Sequence, residues 1–223
     1  MRTAEAVVFD YNGTLYFDYR ENRDAWNEIS KKYRGRSFRD EEYDSMMGMT
    51  DPLCVRRILG DDTPEETIEK VGREKETIYL ALCSKRNLKI EKDAREFILR
   101  LKKDNIKVLI ASSAPKMNME WYYENAGIRD LFRKEDITAG RDDIPSKPNP
   151  DIFRLALERA HTEAERAICF EDSPNGLRAA LATPFRKVYS IESPGFDDSE
   201  QRTLAPVIDW SYTLTHYDEV ISL

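Results

Sequence analysis

Cysteine, histidine and excess positive charge are what this chain of 223 residues has little of. Its three cysteines, Cys54, Cys83 and Cys169, are odd in number, far apart and without CxxC spacing. That pattern excludes a disulfide framework and a thiolate zinc site, and a reducing, cytoplasmic setting is expected. The two histidines, His161 and His216, show no partner spacing, so a solvated surface is expected for both. No apolar run approaches the roughly 18 residues of a membrane span. Residues 1–5 lead almost at once into a short apolar run without a leader-like segment, so neither a membrane partner nor export is expected. Lys+Arg 35 against Asp+Glu 42 leave a net charge of −7, which disfavours a nucleic-acid partner. The 9 glycines and 10 prolines are spread out, with no repeat and no low-complexity tract, which excludes a disordered or fibrous chain. A monomer is the default expectation.

What the chain does have is 40% hydrophobic residues, enough for a substantial core with room for an insertion. Short apolar runs at Ala6–Phe9, 108–111 and 167–170, with a further one at Lys187–Ile191, read as buried strands. Helical patterns lie between them at 93–103, 151–160 and 175–182, and the alternation predicts a parallel α/β sheet with short crossovers. Residues 18 to about 88 read differently. Polar, heavily charged helices are expected over 23–33, 40–47, 52–59 and 64–82, with Trp26, Ile29 and Tyr33, then Ile68, Val71, Ile78 and Leu82, at core-packing spacing. The expected organisation is a Rossmann-like core of residues 1–17 plus 88–223, carrying an inserted α-helical domain of residues 18–87.

The densest chemical signal is Phe9-Asp10-Tyr11-Asn12-Gly13-Thr14-Leu15, a carboxylate at the carboxyl end of the first strand followed by a glycine turn. Ligands of open α/β sheets bind beyond the carboxyl ends of the strands. Taken alone, Asn12-Gly13 reads equally well as a hairpin turn. Three further segments bear on that choice: Ser112 and Ser113 at the end of the second strand, Lys147 in Ser146-Lys147-Pro148-Asn149-Pro150, and Glu171-Asp172-Ser173-Pro174 after the third. Each also has a bland reading: turn hydroxyls, an exposed loop lysine, and dipole partners for the following helix.

In this order the four segments resemble the haloacid dehalogenase superfamily of phosphohydrolases, most closely its branch with an α-helical cap inserted after the first motif, which includes the β-phosphoglucomutase-like proteins. The resemblance spans the whole chain. It implies Asp10 as the nucleophile that forms an aspartyl-phosphate, splitting hydrolysis into two easier displacements. It implies Mg²⁺ held by Asp10, the backbone carbonyl of Asn12, and Asp172 with Glu171, screening the repulsion between two anions. Ser112 and Lys147 are implied as phosphate contacts, with Ser113 alongside; Thr14 as a further hydroxyl donor is a physical inference. The implied partner is a small phosphorylated metabolite.

One position departs from the family pattern. Most phosphatases of the family carry a second aspartate two residues after the nucleophile as general acid and base, and here Asn12 stands there. An amide cannot exchange protons near neutral pH, and such assistance is typically worth roughly 100- to 10,000-fold. A phosphatase of reduced turnover is therefore expected. The alternative is a phosphate-ligand binding or regulatory protein with negligible turnover. A β-phosphoglucomutase-like isomerase is disfavoured by its need for proton relay. A phosphonoacetaldehyde-hydrolase-like enzyme lacks a lysine that stands out as imine former among Lys31, Lys32, Lys70 and Lys75. Asn-Gly is also prone to deamidation, which would regenerate aspartate. In the helical insertion, Met46-Met47-Gly48-Met49-Thr50-Asp51 resembles a substrate-facing loop, with Met47, Gly48, Met49 and Thr50 as candidate specificity residues. Its alternative is a glycine C-cap with core methionines. Arg56 and Arg57 are expected on a solvated helix face, with a second anionic group as the sharper reading.

Overall fold

The computed structural model of the chain describes residues 3–46, 49–140, 144–195 and 197–223. The chain divides into two compact units, Met1–Phe17 with Lys89–Leu223, and Asp18–Leu88.

The first unit is built on a six-stranded sheet of β1 (Ala6–Phe9), β2 (Lys107–Pro115), β3 (Ile137–Gly140), β4 (Ala167–Glu171), β5 (Lys187–Ile191) and β6 (Val207–Ile208). Its order is β3-β2-β1-β4-β5-β6, and every neighbouring pair is parallel. Parallel strands covered on both faces must be apolar on both, and β1 is buried at all four positions. The expected α/β class is therefore the observed one. Two strands escape the periodicity argument for a physical reason. β3 is a four-residue edge strand only partly buried, and β6 is two residues long, so neither carries an apolar run.

The second unit is helical: α1 (Tyr19–Arg34), α2 (Asp40–Asp44), α3 (Asp51–Leu59) and α4 (Glu65–Lys85). Its core joins Trp26, Ile29, Phe38, Tyr43, Met46, Cys54, Val55, Ile58, Ile68 and Val71, with Tyr33 and Ile78 packed against them. The helix expected over 40–47 stops at Asp44, where Ser45 and Met46 turn back onto Glu41 and Tyr43. Met47 and Gly48 lie outside the described residues.

In the sheet unit the remaining helices are α5 (Lys92–Lys103), α6 (Lys116–Asn125), α7 (Asp151–Arg159), α8 (Pro174–Leu181), α9 (Gln201–Leu204), α10 (Trp210–Thr215) and α11 (Tyr217–Ile221). Strand side chains alternate between faces. Ala6, Val8, Leu109, Ala111, Ala167 and Cys169 pack against Ile152, Phe153, Ala156 and Leu157 of α7 and Ala179 and Ala180 of α8. On the other face, Phe9 and Phe170 stack at 5.5 Å, Phe97 of α5 meets them edge-on, and Trp210 of α10 lies 5.4 Å from Phe170. Such aromatic pairs contribute about 0.5–1.5 kcal/mol each beyond their buried area. Helix α6 was not anticipated, because its sequence KMNMEWYYEN has no one-sided apolar stripe.

Candidate active site

In this strand order the direction of winding reverses between β1 and β4, which opens a crevice at their carboxyl ends. Phe9 pairs with Phe170 in register, and the Asp10 N–H donates to the Phe170 carbonyl at 2.9 Å. Asp10 therefore emerges from β1 beside Glu171 at the end of β4. The chain beyond Asp10 is not a hairpin, since β1 has parallel partners on both sides. Instead it closes a tight turn: the Gly13 N–H donates to the Tyr16 carbonyl at 2.9 Å, and the Leu15 and Tyr16 N–H groups donate to the Tyr11 carbonyl. Gly13 has φ +82°, and a Cβ there would lie 2.0 Å from Asp172 Oδ2. Only glycine fits both the left-handed backbone and the approach of Asp172.

Lys147 ties the crevice together. Its side chain is 7% exposed, and its ammonium donates to Asp10 Oδ1 at 2.5 Å, to Glu171 Oε1 at 2.8 Å and to the Ala111 carbonyl of β2 at 3.2 Å. Glu171 is 1% exposed, and its other oxygen accepts from the N–H groups of Asp172 and Ser173 at 2.7 and 2.6 Å and from the Ser173 hydroxyl. Ser173 in turn caps α8, its hydroxyl accepting from the Gly176 N–H. A Cβ at Gly176 would stand 1.7 Å from Glu171 Oε1, so the bare helix backbone leaves the space that Glu171 fills.

The expected hydroxyls separate. Thr14 does not open towards a phosphate: its hydroxyl donates to Asp172 Oδ1 at 2.9 Å, and a hydroxyl has one proton to give. Ser112 does not end its strand, since β2 runs on to Pro115; it is buried within β2, accepts from the Ala114 N–H, and among the described residues its own proton has no acceptor. Ser113, one residue further along the strand, is exposed. Asn12 is half-buried, and its amide nitrogen donates to the Tyr122 hydroxyl at 3.0 Å.

Charge in the cluster is unbalanced. Burial pushes the Asp10 carboxyl up to about 7, against the pull of Lys147 and with a further push from Glu171. Burial likewise raises Asp172, reinforced by the charges of Glu171 and Asp10. For Lys147, burial works to lower the pKa, but the facing carboxylates outweigh it and hold the amine protonated. One oxygen from each of Asp10, Glu171 and Asp172 lies within 4.8 Å of the other two. Three carboxylates facing one lysine form an all-oxygen, net negative donor set, which suits a hard divalent cation such as Mg²⁺.

In the helical unit, Met49 is 37% exposed, and Thr50 stands as N-cap residue of α3 without a side-chain cap bond. Arg56 is not an anion contact here, because its guanidinium is spent on the Asp61 and Thr63 carbonyls and on Glu65. Arg57 donates to the Ser45 hydroxyl. Buried Lys75 faces Glu76 at 2.7 Å and Asp51 at 3.6 Å. Burial would lower its pKa, yet those two charges raise it, the opposite of what an imine-forming lysine needs. Sequence spacing gave no sign of this cluster, since Asp51 and Lys75 sit on different helices.

The family model described as haloacid dehalogenase-like hydrolase matches residues 4–182. Among curated relatives, the chain is 32% identical over 201 residues to protein CbbY of Cereibacter sphaeroides, covering 86% of this chain and 85% of that one. It is 27% identical over 192 residues to the phosphorylated carbohydrates phosphatase of Thermotoga maritima, covering 84% and 85%. Among solved structures, a HAD hydrolase of family IA, variant 3, from Entamoeba histolytica superposes with a TM-score of 0.89 at 27% identity, covering 97% and 99% of the two chains. A mutant CbbY from Rhodobacter sphaeroides, in complex with xylulose-(1,5)bisphosphate, superposes with a TM-score of 0.79 at 27% identity, covering 93% and 95%.

Proposed function

The chain belongs to the haloacid dehalogenase-like hydrolases, and from that premise we propose that it is a Mg²⁺-dependent phosphatase of small phosphorylated sugars whose turnover is limited by Asn12. The observation that carries the reading is Lys147, held between Asp10 and Glu171 at the carboxyl ends of β1 and β4 and against the Ala111 carbonyl of β2. A lysine buried among carboxylates places a positive charge where a phosphoryl group would meet an attacking carboxylate. The sugar-phosphate class comes from the carbohydrate phosphatase of Thermotoga maritima and the sugar bisphosphate bound by CbbY.

In this reading an Asp10 oxygen attacks phosphorus, the bond from phosphorus to the sugar oxygen breaks, and that oxygen leaves with a proton from solvent or substrate. Water then attacks the aspartyl-phosphate, freeing Asp10 and inorganic phosphate. Asp10 and Asp172, with the Asn12 carbonyl, would hold Mg²⁺, which would supply screening of the negative charge that gathers on the phosphoryl oxygens. Glu171, whose oxygens already serve Lys147 and the Asp172–Ser173 backbone, orients its neighbours. Lys147 and the free proton of Ser112 hold the phosphoryl oxygens. The helical unit takes the part of substrate selection in this reading.

Asn12 can orient a water or a leaving oxygen through hydrogen bonds, but it moves no proton. The same residue supports the second reading, a phosphate-binding protein with negligible turnover. Phosphate release from sugar phosphates and an aryl phosphate, with and without Mg²⁺, tests both against Asp10→Ala and Asn12→Asp. The expected result is slow release that Asp10→Ala abolishes and Asn12→Asp raises by roughly 100-fold or more. Release unchanged in Asp10→Ala overturns the mechanism; activity in Asn12→Asp alone establishes the binding reading.

A further inference from the structure

We propose that Tyr122 is a positioning residue for Asn12, fixing the direction of its amide and keeping it an amide. The inference rests on the reading of the Asp10 crevice as a phosphatase site. Tyr122 lies on α6, far along the chain from the β1 turn, and is 1% exposed. Its ring is wedged against Tyr11 at 4.7 Å and Tyr16 at 5.2 Å between centroids, and Trp121 meets it edge-on at 5.9 Å. A phenol held by rings on several sides has little freedom to turn. Its hydroxyl is therefore a fixed point, and it accepts from Asn12 Nδ2 at 3.0 Å.

An amide has a donor end and an acceptor end, and they are not interchangeable at a reacting oxygen. With the nitrogen end directed at Tyr122, the carbonyl end is oriented by the same bond. A carbonyl in that position accepts from an attacking water and thereby orients it, which is the assistance that remains to a residue unable to carry protons. Tyr122 would thus act on turnover through Asn12 and without touching substrate.

The same contact bears on the chemical lifetime of Asn12. Deamidation requires the Gly13 nitrogen to bond to Asn12 Cγ while ammonia leaves with Nδ2 and the Gly13 amide proton; water then opens the succinimide to aspartate or isoaspartate. Both participants are held in the folded chain, Nδ2 by Tyr122 and the Gly13 N–H by the Tyr16 carbonyl at 2.9 Å. Folding should keep this Asn-Gly pair intact, although in an unfolded chain it is labile.

The test pairs two readouts on Tyr122→Phe, which keeps the ring and removes only the oxygen. Peptide mass spectrometry follows deamidation at Asn12 in mildly alkaline buffer for the native chain, Tyr122→Phe and the urea-unfolded chain. The expected order is unfolded fastest and native slowest, with Tyr122→Phe about 2- to 10-fold faster than native, the worth of one net hydrogen bond. Equal rates in native and Tyr122→Phe overturn the proposal. On an aryl phosphate with Mg²⁺, Tyr122→Phe should lower kcat with little change in KM, and should have no further effect in an Asn12→Ala background. The same loss in both backgrounds assigns Tyr122 a merely structural role and also overturns it. Deamidation needs no turnover, so if no variant releases phosphate the phosphatase reading fails while the mass spectra still decide the role of Tyr122.

Discussion

The Thr14 hydroxyl donates to Asp172 Oδ1 across 2.9 Å, joining the turn after β1 to the loop after β4. A carboxylate so directed offers its other oxygen to a cation in one orientation. Thr14→Val should weaken apparent Mg²⁺ affinity about 10- to 100-fold, the usual cost of losing a group that orients a metal ligand, while Thr14→Ser should restore it. Mg²⁺ titrations of phosphate release check both variants.

Among the described residues, Lys147 is the positive charge that offsets Asp10 and Glu171 inside the crevice. Removing one partner of a buried ion pair costs about 3–5 kcal/mol, because the remaining charge is left uncompensated. Lys147→Ala should therefore lower the urea midpoint as well as abolish phosphate release. Lys147→Arg should rescue neither fully, since a planar guanidinium cannot take the place of a compact ammonium.

Gly176 lies in the first turn of α8, where Ala would ordinarily favour a helix by about 1 kcal/mol. The 1.7 Å approach of a Cβ to Glu171 Oε1 reverses that sign. Gly176→Ala should be destabilised, and it should lose phosphate release through displacement of Glu171 and with it Lys147. Urea unfolding beside activity separates this from a simple propensity effect.

Crowding of Asp10, Glu171 and Asp172 penalises the metal-free fold, so Mg²⁺ should raise the melting temperature. A ligand at 100 times its Kd stabilises by about 2.7 kcal/mol. The thermal shift with MgCl₂ should be large in the native chain and absent in Asp172→Ala, and a chelator should reverse it together with phosphate release.

All three cysteines are buried, and burial pushes Cys54 up to about 12 and Cys169 well above its ordinary value. Thiolate is the reactive form. Thiol-specific reagents at mildly alkaline pH should leave Cys54, Cys83 and Cys169 unlabelled in the native protein and label all three after unfolding.

How much of this was legible in the chain depends on the range of the interaction. Strands at Ala6–Phe9 and 167–170 announce themselves because a strand covered on both faces must be apolar throughout, and the α/β class follows from their alternation with helices. Asp10, Glu171 and Asp172 were legible as candidates because each ends or follows such a strand, whereas Lys147 was legible only from the motif Ser146-Lys147-Pro148-Asn149-Pro150 and Ser112 from the apolar run at 108–111 before it. Helix α6 and strands β3 and β6 were not, since none carries a one-sided apolar pattern.

Local patterns in the chain suffice for the sheet class, the placement of carboxylates at strand ends, and the presence of an amide at Asn12. Tertiary structure alone decided what those side chains do to one another. It turned Thr14 onto Asp172, gave both oxygens of Glu171 to its neighbours, spent Arg56 on its own loop, and set Tyr122 against Asn12. The reason is the size of the contacts. A strand or helix is specified by patterns a few residues long, whereas a hydrogen bond between positions 12 and 122, or 14 and 172, exists only once the whole sheet has brought distant loops to one crevice.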